Sequence, residues 1–356
     1  MRNSILIVLF GLALNVGFGQ KKVLLEKFTH VNCGQCPNAS LTIQNYQDAD
    51  PDLIWVSHYK KVSFDWSPLT NEESTLLWAD LAVWGNPTAM FDRTPVDGAL
   101  INSTSKWAAS IDQQHQTSPD VSISFDNVEF DYDTRNITFD VNVSFESASE
   151  FDEYRILAFA VEDDVEWRQK SYYNDVAGHP LEGLGEYIQT YQHQNVVRDM
   201  IGGRWGSWEG LPDTVEPGIT LTQSLTHKIN FNYSAYNTRI VVAIAKHHES
   251  DMTQRHILNS NEFSMSDYLI SSVSDDDVNT QFDFTRYPNP VSNILTLEYE
   301  IIPDMIEVRA LDGKVFSTTR PTESKTQLNL SHLPAGLYSI QVSLDDQVGV
   351  RRLIVE

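Results

Sequence analysis

Hydrophobic and polar positions change rhythm twice along this chain. Up to about residue 118, short apolar runs alternate with segments of helical spacing. Val23-Leu24-Leu25-Glu26-Lys27-Phe28, Leu53 to Tyr59 and Thr88-Ala89-Met90-Phe91 predict strands. Pro37 to Gln47 predicts a helix with proline in its first turn. Glu72 to Val83 sets Leu76, Leu77, Trp78, Leu81 and Ala82 at helical spacing. Ser105 to Gln116 predicts a closing helix capped by Ser103, Thr104 or Ser105. Strands that alternate with helices argue for an α/β domain over 20–118.

From Pro119 the period shortens to two. Val121 to Phe125 and Ile137 to Phe145 alternate, Leu221 to Phe231 does so more weakly, and Tyr154 to Val161 and Arg239 to Ala245 are continuous apolar runs. This predicts an all-β sandwich over 119–265, interrupted by a long insertion at 162–217 rich in Gly, Tyr, His and Trp. Insertions of that length are usually functional or partly structured. Residues 266–284 form a polar linker around Asp275-Asp276-Asp277, which lacks the spaced ligands and turn glycine of a calcium loop. Short alternating strands then resume over 285–356, a second β-sandwich.

The first nineteen residues have a different use. Arg2, the apolar run Ile5 to Leu14 and small residues at Gly17 and Gly19 form the three-part pattern of a signal peptide, residues 1–19, cut before Gln20. The apolar stretch is too short to span a bilayer as a helix, and no later stretch predicts a transmembrane span. The mature chain is therefore expected outside the cytoplasm, where disulfides persist.

Charge narrows the possible partners. The 356 residues hold 49 acidic and 25 basic side chains, a net charge of −24. Such a surface repels phosphate backbones and anionic lipid, so a nucleic-acid binder is excluded. The two cysteines, Cys33 and Cys36, are too few for a disulfide framework or a four-thiolate zinc site. His30 is the nearest further zinc ligand and no second pair exists. No metal or cofactor is expected.

Cys33-Gly34-Gln35-Cys36 carries the candidate chemistry. A C-x-x-C pair is half a zinc site, a structural disulfide or a redox couple. Its place between a predicted strand and a predicted helix favours the redox couple. Unpaired N–H groups at a helix start stabilise a thiolate. Cys33 is then the attacking sulfur, Cys36 the resolving one, and His30 a possible modulator.

Fifty residues on, Trp84-Gly85-Asn86-Pro87-Thr88-Ala89-Met90-Phe91 resembles the cis-proline loop of the thioredoxin fold. That resemblance implies a thioredoxin-like N-terminal domain with Pro87 cis and Asn86, Pro87 and Thr88 at a substrate groove. The sequence departs from the pattern at Asn32, Gln35 and Pro37. The family's buried, proton-relaying acid falls nearest to Glu26, one position out of register, which makes Glu26 a possible modulator by resemblance, while the residues themselves favour a strand-surface carboxylate.

Glu26-Lys27-Phe28-Thr29, the Cys-Gly-Gln-Cys-Pro run and Gly85-Asn86-Pro87-Thr88-Ala89 together resemble the Omp28 outer membrane proteins of Bacteroidetes. Tyr191 to Asp199 and Gly202-Gly203-Arg204-Trp205-Gly206 extend the likeness, over roughly 22–265. His193 and Arg198 in that stretch read as holding the long loop, Arg198 through an acid such as Asp199 or Glu209. At the other end, Tyr287-Pro288-Asn289-Pro290, Leu311-Asp312-Gly313-Lys314-Val315, Leu333 to Tyr338 and Arg351 to Val355 resemble the sorting domain of the type nine secretion system, read by the outer-membrane export machinery. Two functions follow as expectations. One is thiol–disulfide exchange on the thiols or disulfides of exported proteins. The other is a surface binding protein in which Cys33–Cys36 is a permanent clasp and Tyr191, Trp205 and Trp208 form the binding element.

Overall fold

The computed structural model describes residues 21–61, 67–131, 134–146, 149–150, 154–208, 214–266, 268, 283–310, 315–344 and 347–355. The expected signal peptide, the Asp275-Asp276-Asp277 segment, Glu209 and the Asp312-Gly313 turn lie outside the described residues.

β1 (Val23–Thr29) leads into α1 (Cys36–Ala49), β2 (Leu53–Tyr59), α2 (Glu72–Asp80), β3 (Thr88–Phe91), β4 (Asn102–Ser103) and α3 (Trp107–His115). β1 and β2 are parallel, with Val23 opposite Leu53, and β3 runs antiparallel on the other side of β1. Every residue of β1 and β2 is buried, because both faces of the sheet are covered. Ala39 and Ile43 of α1 and Trp107 and Ile111 of α3 pack on Val23, Leu25 and Trp55. Leu77 and Trp78 of α2 pack on Leu24, Phe28, Ile54 and Val56, the alternate residues of the same strands. α2 ends at Asp80, short of the expected Val83. Ala82 there turns to φ 47°, and the Val83 N–H returns to the Trp78 carbonyl.

The second stretch holds β5 (Val121–Phe130), β6 (Asn136–Phe145), β7 (Ser149–Glu150), β8 (Tyr154–Glu162), β9 (Val165–Lys170), β10 (Tyr187–His193), β11 (Val196–Ile201), β12 (Thr214–Val215), β13 (Thr220–Lys228), β14 (Thr238–Lys246) and β15 (Ile257–Ser264). A three-stranded sheet, β13-β6-β5, packs its inner face on β8 and β14. Phe139, Val141 and Val143 meet Ile156, Ala158, Ile240 and Val242 there.

One sheet crosses the boundary expected at 118/119. Its order is β15-β14-β8-β11-β2-β1-β3-β4. The join is β11 against β2, where Val196 lies opposite Ser57 and the Ser57 N–H donates to the Asn195 carbonyl at 2.6 Å. The insertion thus supplies the strand that covers the outer edge of β2, an edge that otherwise invites foreign pairing.

β16 (Thr285–Tyr287), β17 (Ile294–Glu298), β18 (Met305–Ala310), β19 (Val315–Thr319), β20 (Lys325–Asn329), β21 (Gly336–Leu344) and β22 (Gln347–Val355) form two small sheets. Their core contains Leu295, Leu297, Val308, Ile340, Val342 and Leu353. The molecule is mostly β, in several sheets, with α1–α3 confined to its first part. Among the described residues, no helix is long and apolar enough to cross a membrane.

Candidate dithiol site

Cys33 and Cys36 are joined in a disulfide, their Cα atoms 5.4 Å apart. Cys33 lies in the turn after β1, with its N–H on the His30 carbonyl, and Cys36 is the first residue of α1. Pro37 follows in the first turn, where its missing N–H leaves no helical bond unmade. Cys36 is 1% exposed and Cys33 is 9% exposed, so Cys33 is the outer residue of the pair.

The proline loop meets the pair. The Asn86–Pro87 bond is cis, and the Asn86 side-chain amide donates to Cys36 Sγ at 3.6 Å. Thr88 is buried and its hydroxyl donates to the Gly85 carbonyl at 2.8 Å, so it closes the loop instead of lining a groove. Beside Asn86 opens a pocket of about 220 Å³, lined by His30, Lys60, Trp78, Val83, Trp84 and Gly85. His30 therefore reaches this pocket. Its Nδ1 accepts the Asn32 N–H at 3.0 Å.

The insertion also reaches the turn that carries the pair. The Lys170 N–H donates to the Val31 carbonyl and the Tyr172 N–H to the Gly34 carbonyl, at 2.8 and 2.9 Å. Gln169 Nε2 donates to the Cys33 carbonyl at 2.9 Å. The Tyr172 ring lies on Gly34, where a Cβ would meet a ring carbon at 2.4 Å. Sequence reasoning missed this strap. Its one trace in the sequence is the glycine between the cysteines, which leaves room for a ring.

Glu26 and Lys27 are both fully buried on β1 and point to opposite faces. Glu26 faces α2, away from the dithiol helix. Its carboxylate accepts from Arg93 at 2.7 and 2.9 Å and contacts His58 Nε2 at 3.0 Å. Burial raises its pKa, but Arg93 and His58 outweigh burial and hold it down at about 2. Arg93 also donates to the Arg204 carbonyl, tying the insertion to this triad. The structure thus brings Cys33, Cys36, Asn86 and His30 together and leaves Glu26 apart.

Lys27 is the residue that faces α1. Its Nζ donates to Ser40 Oγ at 2.7 Å and lies 4.7 Å from the Trp55 ring centroid. Ser40 Oγ is 3.3 Å from the Cys36 carbonyl, one helical turn below the sulfur pair. Burial lowers the Lys27 pKa to about 7. Sequence reading passed over Lys27, because a lysine in a strand ordinarily reads as solvent-facing. The parity of β1 is the signal that finds it.

His193 and Arg198 hold the insertion in place. His193 is 1% exposed, with Nδ1 on the Tyr59 hydroxyl and Nε2 near the Trp167 carbonyl. Burial, then the Lys27 charge, lowers its pKa to about 3. Arg198 pairs with Glu162 and donates to the Pro68 carbonyl, a different acid from those expected. Tyr191, Trp205 and Trp208 are half-buried; Trp205 lies against the Arg93 and Arg255 guanidiniums and donates to Asp80. The aromatics that stand out are Trp84 and Tyr172, 69% and 61% exposed, the first in the pocket beside Asn86 and the second on Gly34. Among the described residues, no group of three or more His, Cys, Asp or Glu side chains is placed to hold a metal.

The sequence model of the family described as outer membrane protein Omp28 matches residues 77–261, a narrower span than the 22–265 expected. The match includes the Asn86-Pro87 loop and begins after the cysteines. The model of a secretion system C-terminal sorting domain matches residues 285–356. Among solved structures, HBP35 of Porphyromonas gingivalis is similar in fold, with a TM-score of 0.55 at 13% identity over 95% of this chain and 99% of that one. A biofilm-associated protein's BSP domain gives a TM-score of 0.19 at 10% identity, over 67% of this chain and 52% of that one. No curated protein matches the sequence.

Proposed function

From the premise that this chain belongs to the Omp28 outer membrane protein family, and carries a sorting domain that sends it to the cell surface or the exterior, we propose that it is a thiol–disulfide exchange protein acting on exported polypeptides. In this reading the N-terminal part is a thioredoxin-like domain, Cys33 and Cys36 are the reacting pair, and the sorting domain engages the secretion machinery. A substrate thiolate attacks Cys33 Sγ, the Cys33–Cys36 bond breaks, and Cys36 leaves as a thiolate that takes up a proton. A second substrate thiolate then attacks its own sulfur in the mixed disulfide and releases Cys33. Two electrons pass from the substrate dithiol to the protein disulfide, and the substrate gains the bond that the protein loses.

The observation that carries this reading is the Asn86 amide on Cys36 Sγ. It unites two motifs fifty residues apart, beside an open pocket. The test uses single-cysteine variants. Cys36→Ser, reduced and mixed with glutathione disulfide, is expected to trap one glutathione on Cys33, and Cys33→Ser is expected to trap far less on Cys36. Equal trapping, or none, overturns the assignment.

A second reading has its own support. The Gln169–Tyr172 strap and the near-complete burial of Cys36 suit a permanent clasp. A pair that stays oxidised in excess dithiothreitol favours that clasp.

A further inference from the structure

The pocket beside Asn86 differs in charge from the chain around it. The chain holds 49 acidic and 25 basic residues, yet among the described residues no carboxylate lines this pocket. Two of its polar side chains, Lys60 and Asn86, present donors. Lys60 brings an ammonium, held 5.3 Å from the Trp78 ring centroid. Asn86 brings a side-chain amide whose Nδ2 also touches Cys36 Sγ. His30 lines the pocket with its ring, whose Nδ1 is occupied by the Asn32 N–H. Trp78 and Trp84 form apolar walls, and Trp84 stands 69% exposed at the rim.

A chain of this net charge repels acidic polypeptides at long range. A donor-lined pocket beside the dithiol reverses that sign locally, and the low-dielectric indole walls strengthen the attraction. We propose that this pocket binds a carboxylate of the polypeptide presented to Cys33, with Trp84 lying against the neighbouring peptide. The proposal rests on the dithiol being the reacting group, and it names the substrate class: polypeptides with an acidic group close to the exchanging cysteine. The carboxylate belongs either to an Asp or Glu side chain or to a chain terminus.

Calorimetric titration of the full, oxidised chain with short amidated peptides tests the proposal. Each peptide carries Ser in place of Cys, so no bond exchanges, with Glu, Gln or Lys beside it. A further Gln peptide has a free C-terminus. At low salt the Glu peptide is expected to bind about fivefold more tightly than the Gln peptide, and the Lys peptide more weakly than either. The preference for Glu should vanish in Lys60→Gln and survive in Lys60→Arg, and Trp84→Ala should weaken all the peptides. Tighter binding of the free-terminus peptide than of the Glu peptide supports the proposal and assigns the carboxylate to a chain end. Equal binding of the Glu and Gln amides, with no gain from the free terminus, overturns it. So does a preference that persists in Lys60→Gln. Because the peptides lack thiols, this result is independent of whether the disulfide exchanges; resistance to dithiothreitol would remove the exchange reading and leave the pocket to be judged by binding alone.

Discussion

Glu26 and Lys27 are neighbours on one strand, both fully buried, and the two faces of the sheet treat them in opposite ways. On the α2 face, Glu26 is met by a guanidinium and an imidazole. On the α1 face, Lys27 is met by one hydroxyl and an indole ring, and among the described residues it has no carboxylate partner. A buried charge with full partners costs most when one partner is removed. A buried base without a counter-charge titrates near neutrality. The first face is built for stability and ties the insertion down through Arg93. The second places a buried lysine, its pKa lowered by burial, against the helix that carries Cys36.

Breaking the first face should have the largest effect. Glu26→Gln leaves the Arg93 guanidinium unmatched, and a loss of about 3–5 kcal/mol is expected in urea unfolding. A loss below about 1 kcal/mol would mean that the triad does not anchor the insertion. The second face should respond with the opposite sign. The Lys27 pKa falls on folding from an ordinary 10.5 to about 7. Between those values the unfolded chain binds more protons, so stability rises with pH across that window and the full penalty is present below it. Lys27→Met is therefore expected to stabilise the protein at pH 7 by about 1–3 kcal/mol, with the gain fading toward pH 10.5. Urea midpoints across that range measure it; a destabilised Met variant would contradict it.

His193 sharpens the comparison at acid pH. Its pKa also falls on folding, to about 3, so the unfolded chain alone binds that proton between about 6.5 and 3. Stability should drop as pH falls through this range, and His193→Gln should flatten the slope. The smallest effect concerns access. Tyr172→Ala removes the ring over Gly34, and the rate of disulfide reduction by dithiothreitol is expected to rise severalfold with little change in stability. An unchanged rate would show that the strap does not limit access.

Much of this was readable from residues alone. The apolar runs of β1, β2 and β3 and the C-x-x-C and Asn-Pro loops carry local signals, and the structure brings the two loops into contact. The union of β2 with β11 carries none: a pairing between Ser57 and Val196 depends on partners far apart in sequence, and strand propensity does not name a partner. The length of the insertion marks it as functional or partly structured, but its strands are short and mixed in polarity, so the sequence does not locate the strap or the sheet join it supplies. The resemblance points to Glu26 as the acid nearest the family's position, whereas strand parity turns Glu26 toward α2 and Lys27 toward α1. Trp84 is legible as part of the proline loop, but its exposure is a property of the fold that no single residue announces.

The function proposed for this chain depends on exchange at Cys33–Cys36. The most direct test equilibrates the full chain with glutathione and dithiothreitol redox buffers and counts free thiols by alkylation and mass spectrometry. Half-reduction is expected at a potential between about −120 and −270 mV, with Cys33 alkylated faster than Cys36. A pair that stays oxidised beyond about −300 mV would contradict it and leave the disulfide as a clasp.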